Sequence, residues 1–453
     1  MNAPTATPLH MAGHLAPVPD EIDAVDLPVD GALPPELTGR YLRNGPNPLP
    51  GEPSRHWFTG HGMVHGVCLR AGRAEWYRNR WVRTKALAGE SMIKPDGTVD
   101  RSVGVANTHV IAHAGRIMAL VESSFPHVLT PELATVGPCD FDGRLTTAMT
   151  AHPKTDPVTG ELHFFGYGFA PPFLTYHRLS AAGELVASAE IAVPGPTMMH
   201  DFAITDRHAV FLDLPMTFSR DRLRTGMPYG WDDAYGARIG LMPLARPGEV
   251  TWFDVDPAYV FHVGNAATDT AGRVVLDAAR YAPADAIAMW DGLGLDPAGP
   301  AAAAAATGAA RMYRWVLDPA SGTVTETLLD DRGVEFPTVD DERVGRDARY
   351  RYAVGRSAVV KYDVAVGATT EHALAADTVA GEAVFVPSAA VDRAEDDGWL
   401  LTITTCRDGS ASQLLVLDAT DVAGAPVAAV TLPRGVPAGF HGSWIPDTEL
   451  ERS

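Results

Sequence analysis

From about residue 39 onward the chain repeats one style, in which β-like runs of roughly five to eight residues are punctuated by Gly, Asp, Asn or Pro about every 8 to 12 residues, the spacing of meandering antiparallel strands. Gly66-Val67-Cys68-Leu69-Arg70 and Ala74-Glu75-Trp76-Tyr77-Arg78 face each other across an Ala-Gly turn. Val110-Ile111-Ala112-His113 and Ile117-Met118-Ala119-Leu120-Val121 do so across another. Strand triplets recur at Leu162 to Tyr167, Leu174 to Leu179 and Leu185 to Val193, and again at Val384 to Pro387, Trp399 to Thr404 and Gln413 to Leu417. Long amphipathic helices are hard to find. So many short strands leave a sandwich, a barrel or a propeller.

The propeller is preferred because it brings sequence-distant residues to a common axis. Four histidines share one kind of setting, each beside apolar or small residues near the edge of a β-like run: His152, His200, His262 and His441. On an axis, these imidazoles can converge on one metal. Dividing 453 residues among seven blades leaves roughly 60 each, more than a compact repeat needs, so long loops are expected at Ser219 to Pro247 and Tyr281 to Gly308. The run Ala301 to Ala306 is read as a short helix or low complexity, with no function. Residues 1–35, with prolines at 4, 8, 17, 19, 28, 34 and 35, read as an irregular N-terminal arm, because proline removes a ladder donor and breaks helices. Residues 36–453 then form a single domain, which all-β architectures of this length allow.

Composition narrows the partners. A net charge of −20 excludes a polyanion-binding face and disfavours anionic lipid headgroups, since nucleic-acid binders concentrate Lys and Arg. Hydrophobic residues at 46% and charged residues at 20% are those of a globular protein, and no apolar run approaches the roughly 18 residues of a spanning helix. Cys68, Cys139 and Cys406 are odd in number, widely spaced and without a CxxC, which points to a reducing compartment. Met1 to Asp30 lacks the pattern of a secretory signal, and a cytoplasmic protein is expected.

Short motifs run from near the start to near the end: Gly39 to Pro48, Gly62-Met63-Val64-His65-Gly66, Ala151-His152-Pro153-Lys154, Met199-His200-Asp201-Phe202, Phe261-His262 with Asn265-Ala266, Glu335-Phe336-Pro337, Glu382-Ala383-Val384-Phe385-Val386-Pro387 and Gly439-Phe440-His441-Gly442-Ser443-Trp444. In this order they resemble the carotenoid cleavage oxygenase family, which includes stilbene-cleaving members. The resemblance implies an all-β, seven-bladed β-propeller with loops capping its top face, and an Fe(II) on the axis held by His152, His200, His262 and His441. It also implies carboxylates behind those ligands, carried onto Glu122, Glu335 and Glu382. The chemistry agrees: neutral imidazoles leave a metal with open positions, and each remaining N–H needs an acceptor to fix its ring. Iron in place of zinc is implied by the resemblance alone, as is the reaction, in which O2 splits a C=C bond of an apolar or aromatic alkene into two carbonyls. No catalytic residue beyond the metal centre is then required. A non-oxidative isomerase or a non-catalytic binding propeller would be the other uses of such a scaffold.

Two departures matter. His61 stands where the family often has Asp. No lysine occurs from Pro95 to Pro153, whereas stilbene-type members grip the substrate phenol with a Lys and a Tyr ahead of the first ligand. Against that, Trp76 to Thr84 and Pro171 to His177 look closer to the stilbene branch, and both branches stay open at this point. Phe58, Trp81, Phe125 and Phe169 are expected to line the substrate tunnel, with His56, His61 and His65 shaping its entrance. His208, after a turn, is expected to face solvent. Ala286 to Trp290 and Gly240 to Leu244 read as apolar loop segments that either rim the tunnel and touch a bilayer or are buried, and both readings stay open at this point.

Overall fold

A computed structural model describes residues 8–54, 56–224, 227–292 and 310–451. Its strands form seven sheets arranged as the blades of a propeller, plus one two-stranded hairpin. In chain order, the first strands of blades two to six are His109–His113, Lys154–Thr155, Ala203–Ile204, Tyr259–Thr268 and Val334–Thr338. Each of these blades runs outward as a four-stranded antiparallel meander. First strands of neighbouring blades touch one another, so they form the inner wall.

Blades one and seven close the ring twice. Blade one is built on Gly39–Pro46, Gly62–Arg70 and Arg73–Trp81, and its innermost strand comes from the far end of the chain, Gly442–Pro446, paired with Gly39–Pro46. In blade seven the first strand, Val384–Pro387, and the outer strand, Ala428–Thr431, flank Gly398–Cys406 and Ser412–Asp418. Val29–Gly31, from the N-terminal side, pairs with Ala428–Thr431 as a further outer strand. Within the stretch read as an arm, Asp23–Val25 likewise adds an edge to blade one.

Packing explains the architecture. Seven apolar clusters lie one between each pair of adjacent blades; Leu42, Val64, Val110 and Ile117, for example, join blades one and two. Middle strands are therefore buried on both faces, as in Leu162–Tyr167, whereas outer strands such as Ala368–Ala373 are mostly exposed. The Ala-Gly turns behave alike: Ala71 and Gly72 have φ of 49° and 73°, and Ala114 and Gly115 have 50° and 73°. That double positive φ matches the right-handed twist of the paired strands.

The long connections differ from expectation. Ser219 to Pro247 is not one loop: Tyr229–Trp231 pairs with Met216–Phe218 as a hairpin, and Arg238–Pro243 returns as the third strand of blade four. Gly240 to Leu244 therefore lies largely within a central strand, with Leu241 and Met242 buried by sheet-to-sheet packing, and does not rim a tunnel. The second insertion, between strands two and three of blade five, begins with the helix Pro283–Gly292, whose Ala286, Met289 and Trp290 are buried and whose Ile287 is exposed. The rest of Tyr281 to Gly308, including the Ala301 to Ala306 run, lies outside the described residues.

The two insertions meet. Trp290 Nε1–H donates to the Tyr229 carbonyl at 2.9 Å, Tyr229 sits edge-on to Phe218, and Phe218 stacks on Phe169. The result is an aromatic cap.

Candidate metal centre

The inner wall is irregular where chemistry is placed. His152, His200 and His441 sit one to three residues before the first strands of blades three, four and one, where no ladder partner constrains the ring. His262 lies inside a first strand, but the register of Tyr259–Thr268 shifts across it, between Val260 and Val263, and again between Val263 and Asn265. Glu335 sits at another register shift, between Glu335 and Thr338 in blade six. Such bulges re-aim side chains at the cost of ladder bonds. Phe336 next to it has φ of 53°, a conformation bulky residues rarely adopt and one concentrated at functional sites. Its ring stacks on His262 with centroids 4.8 Å apart.

One ligand nitrogen from each of His152, His200, His262 and His441 lies within 4.8 Å of the others. The Nε2 atoms of His152 and His200 face each other at 3.0 Å. Three carboxylates stand behind. His262 Nδ1–H donates to Glu335 at 2.5 Å, His441 Nδ1–H to Glu382 at 3.2 Å, and His200 Nδ1 contacts Glu122. Glu335 also accepts the Phe336 N–H, and Glu382 the Gly442 N–H. With Nδ1 carrying the proton, each Nε2 presents a lone pair inward. His152 is the exception, with no carboxylate partner among the described residues.

Electrostatics keep three of these rings neutral. Burial, reinforced by the neighbouring imidazoles, holds His152 and His441 well below the usual histidine range and His262 at about 3. Burial also lowers His200, but the charge and hydrogen bond of Glu122 together outweigh it and the net shift is upward. Glu335 is pushed up to about 7 by burial. The donor set fits a divalent cation: nitrogens about 2.1 Å from one ion lie roughly 3–4 Å apart, and lone pairs facing one another are left unsatisfied without it.

A further carboxylate ties three of these histidines together. Asp201, 2% exposed, accepts the Phe202 N–H at 2.7 Å, the Val263 N–H at 2.8 Å and the Lys154 ammonium at 2.7 Å. Those donors lie two residues past His200, next to His262 and two residues past His152. The motifs Ala151 to Lys154 and Met199 to Phe202 contain both partners, but the sequence reading assigned neither a role.

The aromatic expectations divide. Phe58 is one ring removed from the centre: Phe261 lies 5.1 Å from His200, and Phe58 lies 6.3 Å from Phe261, 5.8 Å from Trp290 and 5.2 Å from Phe440. Phe261, quoted only as part of a motif, and Trp290, only as the end of a possible rim segment, are wall residues that were not among the four expected tunnel aromatics. Trp81 packs instead with Val18 and Met63 and donates to the Asn47 carbonyl, as core. Phe125 borders a cleft of about 300 Å³ with Lys94, Arg101 and Thr146. Phe169 is half exposed on the cap. Of the entrance histidines, His56 contacts Phe58 and Trp290, His61 pairs with Glu52, and His65 is buried inside blade one against the Tyr77 hydroxyl. His208 is half-buried at the start of its strand and does not face solvent freely, because blade four covers one side.

Comparison with known proteins agrees with this geometry. The family described as "RPE65: Retinal pigment epithelial membrane protein" matches residues 15–446. A "Carotenoid cleavage oxygenase" of Mycobacterium tuberculosis is 40% identical, covering 97% of this chain and 98% of that protein. Among solved structures, the lignostilbene dioxygenase of Pseudomonas brassicacearum superposes with a TM-score of 0.86 at 27% identity, over 98% of this chain and 100% of that one. Cobalt-substituted Synechocystis ACO gives 0.82 at 29% identity, over 97% and 98%. A seven-bladed ring, four inward imidazoles and near-complete coverage lead to one statement: the chain belongs to the RPE65 family of carotenoid cleavage oxygenases, which are metal-dependent enzymes.

Proposed function

We propose that the protein is a non-haem Fe(II) dioxygenase that uses O2 to cleave a C=C bond of a carotenoid or apocarotenoid into two carbonyl products. The observation that supports it most is the cluster of four imidazoles with its three carboxylates, beside an aromatic wall. His152, His200, His262 and His441 would hold the iron, with Glu122, Glu335 and Glu382 orienting the last three ligands. Bound iron would supply a redox-active centre with open positions for O2 next to the alkene. Both oxygen atoms end in carbonyl groups and no proton is gained or lost, so the chain need not move one. Its residues do other work: Phe58, Phe261 and Trp290 offer flat apolar surfaces that align a polyene and exclude water.

A stilbene-type substrate is the second reading, favoured by the lignostilbene dioxygenase fold match and opposed by the absence of lysine between Pro95 and Pro153. The three free cysteines support a cytoplasmic location; no helix among the described residues is long and apolar enough to cross a membrane. Phe169 and Ile287, exposed on the cap, are where peripheral membrane contact would be made.

The test is elemental analysis of protein produced with iron supplied, beside His200→Ala, followed by aerobic incubation with an apocarotenal and a hydroxystilbene. Near-stoichiometric iron that is lost in the variant, with aldehydes from the apocarotenal, is expected. Aldehydes from the stilbene alone reassign the substrate, and zinc or no metal overturns the dioxygenase reading.

A further inference from the structure

Three of the four histidines have a carboxylate to set their rings; among the described residues His152 has none. The group that stands in its place is a fifth imidazole, His109, at the start of the first strand of blade two. Its ring lies 5.0 Å from that of His441 and 6.1 Å from that of His152. His109 Nδ1 meets the Ala151 carbonyl at 2.8 Å and Nε2 meets the Ser443 Oγ at 3.1 Å. A carbonyl only accepts, so Nδ1 carries the proton and Nε2 accepts the Ser443 hydroxyl. With both nitrogens engaged, His109 is not free to act as a ligand itself.

We infer that His109 is the positioning residue for His152 and couples it to His441. The peptide it grips, Ala151, immediately precedes His152. The serine it receives from, Ser443, lies two residues past His441, on the strand that closes the ring. The other constraints on His152 are consistent with a backbone-held ligand: its N–H donates to Thr150 Oγ1 at 3.2 Å, and Thr150 Oγ1–H donates to the His200 carbonyl at 3.2 Å. His109 thus spans the gap between blades one and three across blade two, while Asp201 spans blades three, four and five from the other side. The four histidines are held by two braces, and only the His109 brace includes the last ligand in the chain.

The inference rests on the metal-binding reading above, and its test separates the two. Asn at 109 places an N–H where Nδ1–H stands; Phe keeps a flat ring and removes both hydrogen bonds; Ser443→Ala removes the donor to Nε2. Dissociation constants for Fe(II) and Co(II) are measured by chelator competition on the full chain, with melting temperatures before and after loading and the Co(II) absorption spectrum. His109→Phe is expected to weaken binding by about tenfold to a hundredfold, as loss of an outer partner of a ligand does. It should also shift the Co(II) bands and gain less melting temperature on loading. His109→Asn keeps the bond to the Ala151 carbonyl and loses the one from Ser443, so it should recover part of the affinity, and Ser443→Ala, which keeps the whole ring, should bind at least as tightly as His109→Asn but less tightly than wild type. Wild-type affinity in all three variants overturns the inference, as does equal loss in His109→Asn and His109→Phe. If His109→Phe does not fold, the other two variants decide: His109→Asn and Ser443→Ala must both bind more weakly than wild type, and Ser443→Ala no more weakly than His109→Asn. A wild-type chain that takes up neither metal overturns the metal reading instead, and the inference with it.

Discussion

Replacing Asp201 by Asn changes no atom count and almost no volume, yet it strikes the carboxylate on which three ligand-bearing segments converge. Oδ1 receives the Phe202 N–H and the Lys154 ammonium, and Oδ2 receives the Val263 N–H. If the amide NH2 takes the Oδ2 position, it faces the Val263 N–H and leaves that buried donor unsatisfied, at about 1–3 kcal/mol. The Lys154 pair also loses its charge. Breaking a fully buried pair costs about 3–5 kcal/mol, but the Lys154 side chain is 19% exposed and can turn to water, which cuts the pair's share to about 1 kcal/mol, the value of a solvated pair. A total near 3 kcal/mol results. At about 2.1 cal/mol/K of unfolding entropy per residue, a chain of 453 residues loses roughly 3 °C of melting temperature. Metal affinity should fall as well, since Asp201 itself adjoins His200 and Val263 adjoins His262. Calorimetry and chelator competition on Asp201→Asn, Lys154→Met and the double variant measure both effects. The double variant should recover part of the stability, with a coupling energy above about 0.5 kcal/mol. Additive losses, or an Asp201→Asn protein that melts and binds metal like the parent, refute the brace.

Three other outcomes follow from the geometry. Glu335→Gln keeps a neutral acceptor for His262 Nδ1–H but removes the charge, so metal affinity should drop about tenfold while the metal-free protein melts no lower; an unchanged dissociation constant contradicts the orienting role. Gly442→Ala places a Cβ 2.5 Å from the Tyr41 hydroxyl, and that overpacking should cost about 1–3 kcal/mol, read as a lower melting temperature. Burial holds His56, His127, His163 and His177 at about 4, below an unfolded value near 6.5. The stability they contribute is therefore full above about pH 6.5 and lost as pH falls toward 4, by up to about 1.4 kcal/mol per histidine per pH unit. Melting temperature should drop steeply between pH 6.5 and 5, and a flat profile there rules the effect out.

Much of this was legible in the residues. Strands such as Leu174–Leu179 and Val384–Pro387 fall where turn punctuation and β-branched or aromatic content put them, because those signals are local. The four histidines that come together were legible through the motifs around them, which carry the family resemblance; their setting alone does not single them out among 16 histidines. What escaped is what depends on register and on neighbours distant in sequence. Nothing local marks Glu335 as sitting at a bulge. His109 looks like one more strand histidine until Ala151 and Ser443 arrive on either side of it. A sharper signal was present, however, since His109 opens its blade much as the other histidines open or precede theirs. Gly240 to Leu244 was misjudged as an apolar loop because an insertion separates it from the strand it pairs with.

The double closure of the ring has a consequence for the order in which the molecule comes into being. Three of the histidines and the first two glutamates are carried by blades that can form as the chain emerges, but His441 adjoins the strand Gly442–Pro446, which completes blade one. During synthesis the centre is therefore a three-histidine half-site until that final strand zips against Gly39–Pro46. Metal capture in its mature form is a late, post-assembly event, and a nascent chain stalled before residue 441 should hold its metal only loosely.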